Sequence, residues 1–238
     1  LNKNSINLNQ KIKQLKKQSY KRSGPVALLI RKNCFSNVRE RPIKIDKKLY
    51  NREEIINLIL DIIPKKTKIV STTGMISREL YEQRTKKKEN HSNDFLCVGG
   101  MGHASQIACG ISLQKKRHNI VCLDGDGSVI MHMGALAINS KYSNFKHIIL
   151  NNKSHDSVGG QPTIAENLDL GKIGKICGYK NTILIDGKKN LEKILTKEIK
   201  KKTSSLIVIN CNKGHRGNLG RPKDDILLRK KKFMDGIV

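Results

Sequence analysis

Short apolar runs alternate with longer amphipathic segments from residue 52 to residue 210, and this alternation constrains the fold more than any other feature. The apolar runs cover residues 68–71, 95–98, 120–123, 147–150, 182–185 and 206–210. Such runs, bounded by glycine or polar residues, are typical of buried strands. Helical patterns lie between them at 52–63, 77–82, 104–113, 130–141 and 190–200. The sequence therefore predicts an α/β fold: a doubly wound, mostly parallel sheet with helices on both faces.

The first 40 residues have a different character. Residues 1–21 are polar and rich in lysine, with apolar residues too sparse to predict a strong helix. The apolar run at 24–30 predicts a single buried strand, and the polar stretch at 32–48, which contains Pro42, predicts a linker. We expect residues 1–40 to be the end of a preceding domain plus linker, and residues 41–238 to be the main domain.

The composition limits the partners of the chain. The formal net charge is +27, which would attract nucleic acid. However, the basic runs are dispersed and no aromatic residues interleave them as a base-stacking surface requires, so we expect a solvated surface and no nucleic acid. The six cysteines form no CxxC pair, and no apolar run is long enough to span a bilayer. These features predict a cytoplasmic protein that binds no membrane.

The strongest local pattern is Gly125-Asp126-Gly127-Ser128, followed after a predicted helix and strand by Asn152. Asp126 directly follows a buried strand, so its carboxylate projects from the edge of the sheet. The flanking glycines let the backbone approach a diphosphate, and the helix that begins near Ser128 directs its positive N-terminus at the same point. Asn152 ends the next strand. Carboxylate, amide and carbonyl oxygens suit Mg²⁺, so the pattern predicts a site for a metal and a diphosphate.

This pattern resembles the thiamine-diphosphate fingerprint of the pyruvate decarboxylase and acetolactate synthase superfamily. The resemblance implies thiamine diphosphate and Mg²⁺ as cofactors, with residues 41–238 as the diphosphate-binding domain of the thiamine-diphosphate-binding fold. It implies that Asp126, Asn152 and the main-chain carbonyl of Ser154 bind the metal. The implied diphosphate contacts are Gly125, Gly127 and Ser128. Lys153 departs from the superfamily pattern, which has a small residue there, often glycine.

A second glycine-rich turn, Gly99-Gly100-Met101-Gly102-His103, also follows a predicted strand and opens a helix. By the same resemblance the turn contacts the cofactor. Met101 would force it into a bent V shape, and the Gly99 carbonyl would accept a hydrogen bond from its 4′-amino group. From Met101 alone, the favoured interpretation would be a core methionine in a glycine turn. His103 could line the diphosphate site or cap its helix.

The polar, glycine-rich segment 155–163 directly follows the metal motif and predicts a loop at the active-site face. Together with residues 102–106 it resembles the phosphonopyruvate decarboxylase family, with the sulfopyruvate decarboxylases as near relatives. The implied reaction is that of a carbon–carbon lyase, which converts phosphonopyruvate to phosphonoacetaldehyde and CO₂. His155 could protonate a carbanion-like intermediate or make a structural contact. Three other side chains of the loop are candidate substrate ligands: Ser157, Gln161 and Thr163.

The resemblance also implies a partner. In this superfamily a glutamate on a separate pyrimidine-binding domain activates the cofactor, commonly across a subunit interface, and residues 1–40 look like the end of such a domain. No carboxylate of this chain stands in the motif context of that glutamate, so we expect the chain alone to be inactive and the assembly to be a homo-oligomer. Two alternatives stay open: a subunit of a sulfopyruvate or other 2-oxo acid decarboxylase, and a non-catalytic cofactor-domain fragment.

Overall fold

The computed structural model describes residues 7–31, 34, 43–142 and 144–237. The chain divides into two compact units, residues 1–42 and 43–238. In the first unit, helix α1 (Leu8–Arg22) begins after Asn7, whose side chain accepts a hydrogen bond from the backbone N–H of Gln10 at 3.1 Å. The sequence pattern did not predict a strong helix in this segment, and the structure contains one. Its lysines and glutamines are good helix formers, and a capped N-terminus with basic residues at the C-terminus supports the helix without burial.

The buried strand predicted at residues 24–30 is also wrong. Residues 24–31 form no strand, and Val26, Leu29 and Ile30 are exposed. A strand needs a neighbour to pair with its backbone groups, and the described residues of this unit contain none. The linker predicted at 32–48 falls mostly outside the described residues. The assignment of residues 1–40 to the end of a preceding domain stays a prediction.

The second unit alternates helices and strands. Its helices are α2 (Arg52–Ile62), α3 (Met75–Lys86), α4 (Ala104–Gln114), α5 (Asp126–Met131), α6 (Ala135–Asn139), α7 (Leu170–Ile176), α8 (Leu191–Lys200) and α9 (Ile226–Asp235). Its strands are β1 (Lys68–Ser71), β2 (Asp94–Leu96), β3 (Ile120–Gly125), β4 (Phe145–Asn151), β5 (Ser154–His155), β6 (Gln161–Pro162), β7 (Asn181–Ile185) and β8 (Ser205–Asn210). The predicted strands of this unit are confirmed to within a few residues.

The main sheet has the strand order β2-β1-β3-β4-β8-β7, and each pairing in it is parallel. Gly125 at the end of β3 pairs with Leu150 near the end of β4, so the polar residues that follow these two strands emerge side by side. Strands β5 and β6 form a separate antiparallel pair just beyond this edge. The predicted fold class is therefore confirmed.

Alternate residues of the central strands supply two cores, one on each face of the sheet. On β3, Val121 and Leu123 pack with α2, α3 and α8, whereas Ile120 and Cys122 pack with α4, α6 and α7. Burial on both faces explains why these strands read as continuous apolar runs. It also fixes the sheet rigidly enough to position the groups at its carboxyl edge.

The helix predicted over residues 130–141 is wrong in its bounds. Helix α5 already begins at Asp126, and the chain leaves the helical path at His132 before α6 begins at Ala135. The His132 ring lies 3.2 Å from the carbonyl oxygen of Gly102, and Gly134 disfavours a continuous helix. Helices α7 and α9 were not predicted. Within the described part of the chain, every helix is too short or too polar to traverse a bilayer.

Candidate functional site

An open cleft lies at the carboxyl ends of β1, β3 and β4, where ligands bind in doubly wound sheets. It holds many of the residues that the sequence predicted for the site: Met101, Gly125, Asp126, Gly127, Ser128, Asn152, Ser154, His155 and Ser157. Other predicted residues do not line this cleft: Gly99, Gly100, Gly102, His103, Gln161 and Thr163. The structure therefore brings the predicted metal motif and the start of the polar loop together.

Asp126 is the first residue of α5 and is almost fully buried. Burial raises the pKa of its carboxyl above the ordinary value, while a hydrogen bond donated by the Thr163 hydroxyl acts in the opposite direction. No lysine or arginine of the described residues pairs with it. A buried carboxylate without a cationic partner is unfavourable, so a metal ion here would remove an electrostatic cost.

Asn152 and Ser154 follow β4, and both are buried at the cleft. The backbone N–H of Ser154 donates to Oδ1 of Asn152 at 3.2 Å, which folds the chain into a tight turn. Lys153, at the centre of this turn, has a φ of 55°. Left-handed backbone is strained for a side chain with a Cβ. This strain is the physical reason that a glycine is expected at position 153, and Lys153 adopts the left-handed conformation at an energetic cost.

The Ser128 hydroxyl forms hydrogen bonds that link residues following three different strands. Its hydroxyl lies 2.9 Å from the Thr72 hydroxyl, which follows β1, and accepts a hydrogen bond from the backbone N–H of Gly102 at 3.0 Å. Thus the diphosphate motif and the second glycine-rich turn are directly connected. Gly102, with a φ of 83°, needs the left-handed freedom of glycine at this junction.

The residues of the second glycine-rich turn differ in whether they line the cleft. Met101 lines the cleft, and its role under the cofactor stays a prediction. Gly99 is exposed and has a φ of 72°, and its N–H donates to the Thr73 hydroxyl at 3.4 Å. His103 occupies the N-cap position of α4 but its side chain makes no capping hydrogen bond. Its ring instead contacts the His132 ring edge-on, with centroids 5.3 Å apart.

The polar loop after β4 packs against the metal motif. A Cβ added to Gly127 would lie 2.6 Å from Cε1 of His155, so only glycine lets this ring approach the motif so closely. Ser157 lies exposed at the cleft, whereas Gln161 is exposed away from it. Thr163 is buried against Asp126 rather than open to the cleft. Its predicted role as a substrate ligand stays a prediction.

Sequence reasoning missed Arg52, which begins α2 and is 4 % exposed. Its Nε and Nη2 donate to the two oxygens of Glu79 at 2.7 and 2.8 Å, and its Nη1 donates to Asp156 at 2.8 Å. Burial acts to lower the pKa of the guanidinium, but these carboxylates raise it above its ordinary value. Arg52 gave no signal in the sequence beyond its position at a helix start.

A second polar cluster lies beneath the motif, within the sheet. The ligand atoms of Cys122, Asp124 and His147 lie within 4.8 Å of one another, and all three side chains are buried. The His147 ring nitrogens lie 3.2 Å from Asp124 Oδ2 and 3.1 Å from the Tyr179 hydroxyl, and the Gly125 N–H donates to Asp124 Oδ1 at 3.0 Å. Burial raises the pKa of the Cys122 thiol, which keeps it protonated. This cluster is a satisfied structural network that fixes the end of β3.

The cleft, in contrast, fits a hard divalent cation and a diphosphate. Its candidate ligands are all oxygens: the Asp126 carboxylate, the Asn152 amide and the Ser154 carbonyl. The Ser154 hydroxyl is buried and has no hydrogen-bond partner among the described residues. Gly125 and Gly127 leave the backbone open to a ligand, and α5 begins at the same point.

Comparison with known proteins agrees with this geometry. Residues 72–209 match the family model for the thiamine pyrophosphate enzyme, C-terminal TPP binding domain. The phosphonopyruvate decarboxylase of Streptomyces viridochromogenes is 34% identical over 167 residues, which cover 69% of this chain and 41% of that protein. Sulfopyruvate decarboxylase subunit beta of Methanocaldococcus jannaschii is 31% identical over 162 residues, which cover 66% of this chain and 81% of that subunit.

Solved structures extend the comparison of the fold. The thiamine diphosphate-dependent 4-hydroxybenzoylformate decarboxylase of Rhodococcus jostii RHA1 superposes with a TM-score of 0.58 at 16% identity, and the match covers 76% of this chain and 36% of that one. The chain spans less than half the length of that enzyme and of the phosphonopyruvate decarboxylase, but most of the sulfopyruvate decarboxylase subunit. The chain thus belongs to the thiamine pyrophosphate enzyme family and contains its C-terminal TPP-binding domain.

Proposed function

We propose that this chain binds thiamine diphosphate and Mg²⁺ in the cleft and forms the diphosphate-binding half of a phosphonopyruvate decarboxylase active site. The reaction would be that of a carbon–carbon lyase, which converts phosphonopyruvate to phosphonoacetaldehyde and CO₂. The observation that carries the proposal is the convergence of Asp126, Asn152 and Ser154 on one cleft beside two backbone-exposing glycines.

The residues of the chain would bind and orient the cofactor. Asp126, Asn152 and the Ser154 carbonyl would hold the Mg²⁺ ion. The backbone of residues 125–128 would receive the diphosphate at the start of α5. Met101, which lines the same cleft, would set the bend of the cofactor. The electron sink for decarboxylation comes from thiamine diphosphate, and the protein supplies position and electrostatics.

The substrate would enter beside His155 and Ser157. Both line the cleft, and the His155 ring packs on the metal motif at Gly127. In this proposal His155 would donate a proton near the reacting carbon. Gln161 and Thr163 remain candidate substrate ligands, although the Thr163 hydroxyl is bonded to Asp126.

A second candidate substrate is sulfopyruvate. It is favoured by the length of the match, which covers 81% of the sulfopyruvate decarboxylase subunit beta but 41% of the phosphonopyruvate decarboxylase. Phosphonate and sulfonate differ in charge and in protonation. Turnover of both acids by the assembled enzyme, measured as CO₂ release, would distinguish the two.

The active site would be completed by a partner. We infer that a pyrimidine-binding domain supplies the activating glutamate, in a cytoplasmic homo-oligomer or in a complex of two kinds of subunit. The named subunit beta among the relatives supports the second arrangement. Addition of the matching partner domain should convert a chain that binds the cofactor into one that releases CO₂. Cofactor binding without any turnover in that assembly would favour a non-catalytic cofactor domain.

The test is calorimetric titration of the chain with thiamine diphosphate, with and without Mg²⁺. We expect binding that requires the metal and that Asp126→Ala abolishes. Asp169→Ala is the matched control, because it removes an exposed carboxylate that caps α7 away from the cleft. The proposal fails if the wild-type chain does not bind, or if it binds equally well without Mg²⁺.

A further inference from the structure

We propose that Asp156 is a positioning residue that turns the Asn152 carboxamide so that its oxygen faces the metal. Arg52 and Glu79 would hold Asp156 in place for this task. The inference rests on the proposed function, because it assumes that Asn152 is a ligand of Mg²⁺.

An asparagine ligand has an orientation problem. Its carboxamide carries one oxygen, which can bind a cation, and one NH₂ group, which cannot. The two ends have nearly the same shape, so neighbouring hydrogen bonds decide which end faces the metal. A rotated Asn152 would present two N–H donors to Mg²⁺ and lose the ligand.

Asp156 resolves the orientation of Asn152. Its Oδ2 accepts a hydrogen bond from Asn152 Nδ2 at 2.6 Å. An ionised carboxylate only accepts, so the NH₂ end must face Asp156. At the other end, the Ser154 N–H donates to Asn152 Oδ1 at 3.2 Å, which favours the same orientation. The oxygen keeps a second lone pair for the metal.

The carboxylate of Asp156 is itself held firmly. The same Oδ2 accepts from Arg52 Nη1 at 2.8 Å and from the Gly214 N–H at 2.9 Å. Arg52 is clamped in turn by both oxygens of Glu79. The side chains of Arg52, Glu79 and Asp156 are 4 %, 2 % and 5 % exposed, so water cannot compete with these charge-assisted bonds. The chain of contacts thus runs from α3 through α2 to the residue that follows β4.

A second buried ion pair, between Arg84 and Asp94, provides a control that distinguishes the positioning role of Asp156 from a contribution to stability alone. Arg84 donates to both oxygens of Asp94 at 2.9 and 3.0 Å, and both side chains are equally buried. Asp94 begins β2, so it lies at the opposite edge of the parallel sheet from the cleft. Loss of the Asp94 carboxylate should therefore destabilise the fold without changing the orientation of the Asn152 carboxamide.

The experiment measures the Mg²⁺ concentration that gives half-maximal thiamine diphosphate binding, by calorimetry, together with thermal unfolding of each variant. We expect Asp156→Ala to raise this concentration by at least about ten-fold, the usual effect of losing a partner of a metal ligand. Asp156→Asn should give an intermediate value, because its amide oxygen can occupy the position of Oδ2. Asp94→Ala should lose thermal stability but keep the wild-type Mg²⁺ requirement.

A wild-type Mg²⁺ requirement in Asp156→Ala, in a chain whose binding depends on Mg²⁺, overturns the inference and leaves the proposed function intact. If Asp156→Ala does not fold, a wild-type requirement in Asp156→Asn has the same meaning. An equal rise in Asp94→Ala would also overturn it, because the effect would then follow stability. A wild-type chain that shows no Mg²⁺-dependent binding overturns both proposals.

Discussion

The substitution Gly127→Ala tests how closely the polar loop packs on the metal motif. The added Cβ would lie 2.6 Å from Cε1 and 3.0 Å from Nδ1 of His155, and 3.3 Å from Cγ2 of Thr163. Since nonbonded carbons pack at about 3.5–4.0 Å, His155 would have to move by about 1 Å. Gly127 has no positive φ, so the cost is steric. Overpacking of this kind costs about 1–3 kcal/mol.

The same substitution should weaken cofactor binding, because displacement of Thr163 disturbs the hydrogen bond that holds Asp126. The assay is thermal unfolding combined with calorimetric titration of thiamine diphosphate in Mg²⁺. Each kcal/mol should lower the Tm by about 2–4 °C for a chain of this size. Gly127→Ala with wild-type Tm and wild-type affinity would refute the packing argument.

Two matched variants separate stability from binding. Gly110→Ala lies inside α4 with open space around the new methyl group, so it should stabilise the protein by about 0.5–1 kcal/mol. In Gly174→Ala the new Cβ would collide with Leu206 on β8, away from the cleft. This variant should lower the Tm but leave the affinity for the cofactor unchanged. Loss of affinity in Gly174→Ala would mean that binding simply follows stability.

Three further outcomes follow from individual residues. Thr163→Val removes the hydrogen bond to Asp126, whose carboxyl pKa is already raised by burial. The pKa of Asp126 should therefore rise further in this variant. When the solution is acidified, the variant should lose cofactor binding at a higher pH than wild type does. Lys153→Gly should increase the free energy of unfolding by about 0.5–1 kcal/mol and raise the Tm, because it relieves the strain of left-handed backbone at this position. A Tm below that of wild type would contradict this prediction. Burial lowers the pKa of Lys146 to about 8. Since the unfolded state then binds more protons above pH 8, the stability of wild type relative to Lys146→Met should increase as the pH rises from there, in thermal unfolding.

Much of the second unit could be predicted because the pattern of apolar residues in its sequence matches the positions that are buried in the two cores. The β3 strand is buried on both faces, so residues 120–123 read as one apolar run. The first unit was mispredicted for the opposite reason. Helix α1 has no buried residue, so it leaves no apolar periodicity in the sequence. The run at 24–30 is apolar but exposed, and composition alone cannot reveal the absence of a pairing strand.

The site was predictable where backbone geometry demands particular residues. Gly127 and Gly102 mark positions where a Cβ would collide or a positive φ is required, and Asp126 lies directly after a strand. Arg52 could not be predicted, because its partners Glu79 and Asp156 lie 27 and 104 residues away along the chain. Likewise the hydroxyl of Thr163 meets Asp126 only because the loop folds back over Gly127.

We propose that the cleft at the ends of β1, β3 and β4 holds the metal of the cofactor. A crystal structure of the chain with thiamine diphosphate and Mn²⁺ in place of Mg²⁺ tests it directly, because the anomalous signal of Mn²⁺ locates the ion. We predict one peak bonded to the Asp126 carboxylate, the Asn152 Oδ1 atom and the Ser154 carbonyl oxygen. A peak at Cys122, Asp124 and His147 instead, or cofactor bound without contact to Asp126, would contradict this assignment of the metal site.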